Sequence, residues 1–146
     1  MPVVSESADA SVVAPVDDVP RGTETILLVE DERDVRSLVR QVLQERGYRV
    51  VEATGPREAL QLASDATTPI DLLLTDVIMP QMTGRVLADL LTAEQPTMPV
   101  LFMSGYADNA VVEHGVLQAG RAYLQKPFTP VQLARVVRCV LDTAKV

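Results

Sequence analysis

From Thr25 onward the chain alternates between short unbroken apolar runs and longer stretches whose apolar residues recur every three or four positions. Thr25-Ile26-Leu27-Leu28-Val29, Asp71-Leu72-Leu73-Leu74-Thr75 and Pro99-Val100-Leu101-Phe102-Met103 are continuous runs, the pattern of parallel strands covered on both faces. Tyr48-Arg49-Val50-Val51-Glu52 and Ala122-Tyr123-Leu124 are weaker and fit strands nearer the sheet edges. Between the first two strands, Val35, Leu38, Val39, Val42 and Leu43 fall at helical spacing and the pattern stops at Gly47, which predicts a helix over about residues 33–46. Similar faces occur at Ala59, Leu60 and Ala63, at Val86, Leu87, Leu90 and Leu91, at Val111, Val112 and Leu117, and at Leu133, Val136, Val137, Val140 and Leu141. All are read as core faces. Five strands alternating with five helices predict an α/β fold, a doubly wound five-stranded parallel sheet with helices on both faces.

Residues 1–22 break this pattern. They hold three prolines and four acidic residues without a sustained period and are read as a disordered leader, leaving 23–146 as one domain. The net charge of -7, from 13 basic and 20 acidic side chains, repels phosphate backbones and excludes nucleic acid as a direct partner. The single cysteine, Cys139, offers neither an internal disulfide nor a cysteine-rich metal site. It reads as a small buried apolar residue in a reducing compartment. No apolar run approaches the roughly 20 residues that span a bilayer, and the leader lacks the basic start of a secretory signal. The expectation is a cytoplasmic protein with no membrane insertion.

Ligands of open parallel sheets bind beyond the carboxyl ends of the strands. There the first strand runs into Glu30-Asp31-Glu32, the third into Asp76, the fourth into Ser104 and the fifth into Lys126-Pro127. The intervals fit two strand-helix units between Asp31 and Asp76 and one for each later step, so all four positions reach the same edge. Carboxylates gathered at one edge repel unless a cation joins them, and hard oxygen ligands suit Mg²⁺. Lys126, one of two lysines, supplies a fixed positive charge, Ser104 a hydroxyl donor, and Asp76 a nucleophile able to form an aspartyl-phosphate. For Glu32 the simpler reading is an acidic residue meeting a helix dipole. His114, the only histidine, is read as a surface side chain.

At these residues the sequence resembles the receiver domains of two-component response regulators. The matching pieces are Leu28-Val29-Glu30-Asp31-Glu32, Asp76-Val77-Ile78-Met79-Pro80-Gln81-Met82-Thr83-Gly84, Met103-Ser104-Gly105-Tyr106 and Tyr123-Leu124-Gln125-Lys126-Pro127-Phe128. The resemblance covers about residues 24–144. It implies the flavodoxin-like strand order 2-1-3-4-5. It also implies Asp76 as phosphoacceptor, with Asp31, Asp76 and the Ile78 backbone carbonyl as Mg²⁺ ligands and Glu30 acting directly or through water. Glu stands at position 30 where the family more often has Asp. Ser104 and Lys126 would contact the phosphoryl group, Ser104 and Tyr123 would form the switch, and Lys126-Pro127 would be cis. The implied function is a phosphorelay signalling module, not an enzyme in its own right, that takes a phosphoryl group from the phosphohistidine of a sensor histidine kinase or phosphotransfer protein. The surface of the fourth helix, fifth strand and fifth helix would change on phosphorylation and is where a homodimer would form. The Ser-Gly-Tyr and Tyr-Leu-Gln-Lys-Pro-Phe wording resembles receivers attached to hybrid histidine kinases. Both a stand-alone regulator and a receiver excised from a larger protein remain open.

Two other classes compete. A Mg²⁺-dependent phosphatase or phosphotransferase would want a carboxylate two residues after its nucleophile, where this chain has Ile78. A receiver-like binding module would have lost a site residue, and none is missing. Ile78 and Tyr106 flank the approach of water to the acyl phosphate and offer no group to orient it, so slow self-dephosphorylation is expected.

Overall fold

The computed structural model describes residues 21–65, 69–79, 82–105 and 121–144. The described elements run β1 (Thr25–Val29), α1 (Arg33–Glu45), β2 (Arg49–Ala53), α2 (Pro56–Asp65), β3 (Leu72–Asp76), α3 (Gly84–Glu94), β4 (Val100–Ser104), β5 (Arg121–Gln125) and α4 (Pro130–Ala144). The strands form one sheet in the order β2-β1-β3-β4-β5, with every pairing parallel. This is the doubly wound sheet that the alternation predicts. The helix predicted around Val111, Val112 and Leu117 lies outside the described residues, as do His114, Tyr106 and the leader up to residue 20.

The unbroken apolar strands are explained by their two covered faces. On one, Ile26, Leu28, Leu72, Leu74, Leu101 and Met103 pack with Val39, Val42 and Leu43 of α1 and Leu133, Val137 and Leu141 of α4. On the other, Leu27, Val29, Leu73, Val100 and Phe102 pack with Ala59 of α2 and Leu87, Ala88 and Leu91 of α3. Each fully buried Leu or Ile contributes about 1.5–3 kcal/mol of transfer free energy, so the central strands are pinned in register by what they bury.

Several boundaries differ from the sequence reading. Asp71 lies before β3, where its carboxylate accepts the Thr25 N–H at 2.9 Å, and Asp76 and Ser104 are the last residues of their strands. Tyr48 precedes β2 and is buried. The fifth strand extends past Ala122–Leu124 at both ends because its pairing with β4 continues to Arg121 and Gln125. Helix α1 stops at Glu45; Gly47 takes a positive φ of 98° and lies so close to the Gly22 carbonyl that no Cβ would fit. Leu38, Val86 and Leu90 are about half exposed, on the outer margins of their helices. Cys139 is exposed, correcting the buried reading. At 100° per residue it projects away from the side on which Val137 and Leu141 meet the sheet.

Candidate functional site

Strand β1 ends at Val29, and the next residue carries the first acid into the carboxyl edge. The Glu30 N–H makes one more bond to β2, at Ala53 O (3.3 Å), and its carbonyl accepts from Arg36 Nη1 at 2.8 Å. The Glu30 side chain is fully buried. Its Oε2 accepts the Glu32 N–H at 3.0 Å, and its Oε1 accepts from Lys126 Nζ at 3.1 Å. Asp76, also buried, places Oδ1 2.7 Å from the same ammonium. Lys126 therefore bridges two carboxylates from different strands.

The bridge depends on how Lys126 arrives. Its N–H bonds to Ser104 O at 2.7 Å, one step beyond the β4–β5 ladder, and its peptide bond to Pro127 is cis, as the resemblance implies. The loop after Asp76 is equally constrained. Val77 N–H continues the pairing to Met103 O at 3.0 Å, and Gly84 N–H reaches back to Val77 O at 2.6 Å. A Cβ on Gly84 would collide with the Asp76 carbonyl, so the helix start approaches the acid only because the residue is glycine. Thr83 caps α3, its hydroxyl accepting Val86 N–H at 3.2 Å.

Asp31 is exposed and completes the group: one carboxylate oxygen each from Glu30, Asp31 and Asp76 lie within 4.8 Å of one another. Burial raises the Glu30 pKa above the usual carboxylate range, and neighbouring Asp76 adds to that, while the Glu32 N–H and the Lys126 charge oppose it. For Lys126 burial is the largest single influence and would lower its pKa. The hydrogen bond to Asp76 and the charges of Asp76 and Glu30 together outweigh it, and the ammonium is held above its ordinary value. One cation thus faces three acidic side chains, a deficit that a divalent ion bound through hard oxygens would make up.

The Ser104 hydroxyl is buried at this edge and has no hydrogen-bond partner among the described residues. A buried hydroxyl without a partner is unusual, and here it stands one position beyond Met103, which pairs with Asp76. Ile78, two residues past Asp76, is half exposed. Tyr123 on β5 is partly buried against the second core, its ring stacked on Phe102 with centroids 5.1 Å apart. The structure brings Glu30, Asp31, Asp76, Ser104 and Lys126 to one edge as expected. Sequence reasoning included Gly84 in the matching loop without seeing why a glycine is needed there, and it missed Arg36, which sits beyond the acidic cluster on an ordinary amphipathic helix.

The response regulator receiver domain model matches residues 26–138. The chain is 39% identical over 121 residues to the sensor kinase CckA of Brucella abortus, covering 83% of this chain but 13% of that one. It is 33% identical to the response regulator receiver protein CpdR of the same organism, over 70% of this chain and 84% of CpdR. It is also 35% identical to the transcriptional regulatory protein CpxR of Escherichia coli, of which it spans 48%. Among solved structures, the receiver domain of the hybrid histidine kinase CckA superposes with a TM-score of 0.67 at 38% identity, over 80% of this chain and 98% of that one. A receiver protein from Sinorhizobium medicae gives 0.72 at 30% identity, over 84% and 97%. With its strand order and acidic edge already in place, the chain belongs to the response regulator receiver domain family of two-component signalling systems.

Proposed function

We propose that this domain is the phosphoacceptor of a two-component phosphorelay, with Asp76 taking a phosphoryl group from a histidine kinase or phosphotransfer protein. The observation that carries this reading is Lys126 held between Asp76 and Glu30 beside a buried Ser104 hydroxyl that has no partner among the described residues. An Asp76 oxygen attacks phosphorus as the bond to the donor imidazole nitrogen breaks, and that nitrogen regains a proton or keeps its lone pair. The Lys126 ammonium neutralises a phosphoryl oxygen, and Ser104 donates a hydrogen bond from a hydroxyl that has no partner among the described residues. Asp31, Asp76 and the Ile78 carbonyl, with Glu30 directly or through water, would hold Mg²⁺, whose contribution is charge neutralisation of the transferring oxygens. Likeness to a hybrid kinase receiver supports a phosphohistidine donor.

Once phosphorylated, a domain of this kind acts by favouring one of two packings. Ser104 turned toward the phosphoryl group vacates space near Tyr123, and the surface around β5 and α4 then changes for a downstream protein or a second copy of the chain. The acidic balance argues against direct nucleic-acid contact, and no helix among the described residues is long and apolar enough to cross a membrane. The reading includes 23–146 as the folded unit, a cytoplasmic setting and a signalling role without turnover of its own. Incubation with acetyl phosphate followed by mapping of the acid-stable, alkali-labile label tests it. Label on Asp76 alone is expected; label retained in Asp76→Asn, or found on His114, overturns the assignment.

A further inference from the structure

Glu52 is the one acidic residue of β2, and its register partner Leu28 belongs to the core face covered by α1. A carboxylate facing a covering helix requires a cationic partner, and α1 supplies two, one turn apart. Arg36 Nε lies 3.4 Å from Glu52 Oε1, and Arg40 Nη1 lies 3.1 Å from Oε2. The two arginines are not equivalent. Arg40 is 41% exposed at its side chain; Arg36 is only 15% exposed and extends Nη1 to the Glu30 carbonyl at 2.8 Å.

That carbonyl is the first after β1 to lie beyond the sheet ladder. The preceding N–H still bonds to Ala53 O, but β2 ends at Ala53 and offers no donor for the next rung. Arg36 supplies it. Glu30 is therefore held from β2 through its N–H and from α1 through its carbonyl, and that carbonyl is half of the peptide linking it to Asp31. The plane of that peptide sets where the Glu30 carboxylate meets Lys126 and the direction in which Asp31 leaves the backbone.

We infer that Arg36, gripped by Glu52, is a positioning residue for the acidic edge: it holds the Glu30–Asp31 peptide so that both carboxylates face the Asp76 site. The inference rests on the proposed metal-dependent phosphoacceptor reading, and its test separates the two. Outer partners that orient metal ligands typically change metal affinity 10- to 100-fold when removed. In calorimetric titrations of the full chain with Mg²⁺, Arg36→Gln is expected to weaken affinity about tenfold. Arg36→Lys, with one donor group for two acceptors, should recover part of it. Arg40→Gln gives up a Glu52 contact without reaching Glu30, and should keep the parent affinity while losing a similar amount of stability to denaturant. Amide exchange without metal gives the independent readout. The Glu32 N–H, bonded to the Glu30 carboxylate, should exchange faster in Arg36→Gln and not in Arg40→Gln. A parent chain that binds no Mg²⁺ would sink the metal reading and leave the exchange comparison to decide the role of Arg36. Equal Mg²⁺ affinity and equal Glu32 exchange in the Gln variants at 36 and 40 would reduce Arg36 to a packing residue and overturn the inference.

Discussion

The two edges of the sheet are built from the same kinds of charged side chain and come out opposite in character. At the amino edge, Arg138 of α4 meets Glu24 through two bonds, Nη1 to Oε1 at 3.0 Å and Nη2 to Oε2 at 2.6 Å. It also bonds Asp142 through Nε at 3.0 Å and Nη2 at 2.8 Å, and reaches the Arg21 carbonyl and the Tyr48 hydroxyl. The hydrogen bonds to Glu24 are the main reason its guanidinium is held above its ordinary pKa. At the carboxyl edge, Lys126 is a single point charge shared among carboxylates, and the Ser104 hydroxyl beside it has no partner among the described residues. A planar fork that satisfies every neighbour makes a clasp between the entering chain and the last helix. One ammonium among three carboxylates leaves the other edge short of positive charge, the opposite of a self-satisfied clasp.

The comparison breaks most directly at Asp76. Asp76→Asn should lose essentially all acetyl-phosphate labelling while keeping a cooperative thermal transition; persistent labelling would mean that another carboxylate is the acceptor. Next in size, Lys126→Ala is expected to slow the initial labelling rate on the order of 100-fold, the scale for removing one fixed charge from a transferring group, and a rate within about threefold of the parent would show that the bridge is only structural. At the other edge the signs reverse. Arg138→Gln should cost about 2–3 kcal/mol in urea unfolding, less than a fully buried pair because Asp142 is largely in water, with labelling unchanged. A variant that unfolds like the parent would deny the clasp its role. Smallest of all, Ser104→Ala should shift stability by less than about 1 kcal/mol, since its hydroxyl makes no bond to the described residues that folding would lose, yet it should weaken the exchange changes produced by beryllofluoride around β5. A large loss of stability would point to a partner for the hydroxyl, and an undiminished response would remove it from the switch.

Much of this molecule was legible in residue order. A parallel strand covered on both faces must be apolar at every position, so β1, β3 and β4 announced themselves, and the residues just beyond them had to lie at one edge. Residue order alone therefore brings Glu30, Asp31, Asp76, Ser104 and Lys126 to that edge. The core faces of α1 and α4 followed from period alone. What period does not carry is azimuth to within a residue: Cys139 turns to solvent, and Leu38, Val86 and Leu90 lie at the outer margins of their apolar stripes. Nor does it carry partnership. Arg138 finds Glu24 across 114 positions, and Arg36 reaches the Glu30 carbonyl because β2 stops at Ala53. Those pairings depend on which strand ends beside which helix, and on where a guanidinium can reach once the core has closed. Apolar patterning sets the order of layers because burial is non-directional, whereas hydrogen bonds and ion pairs need particular atoms within about 3 Å, a condition that only the packed tertiary structure decides.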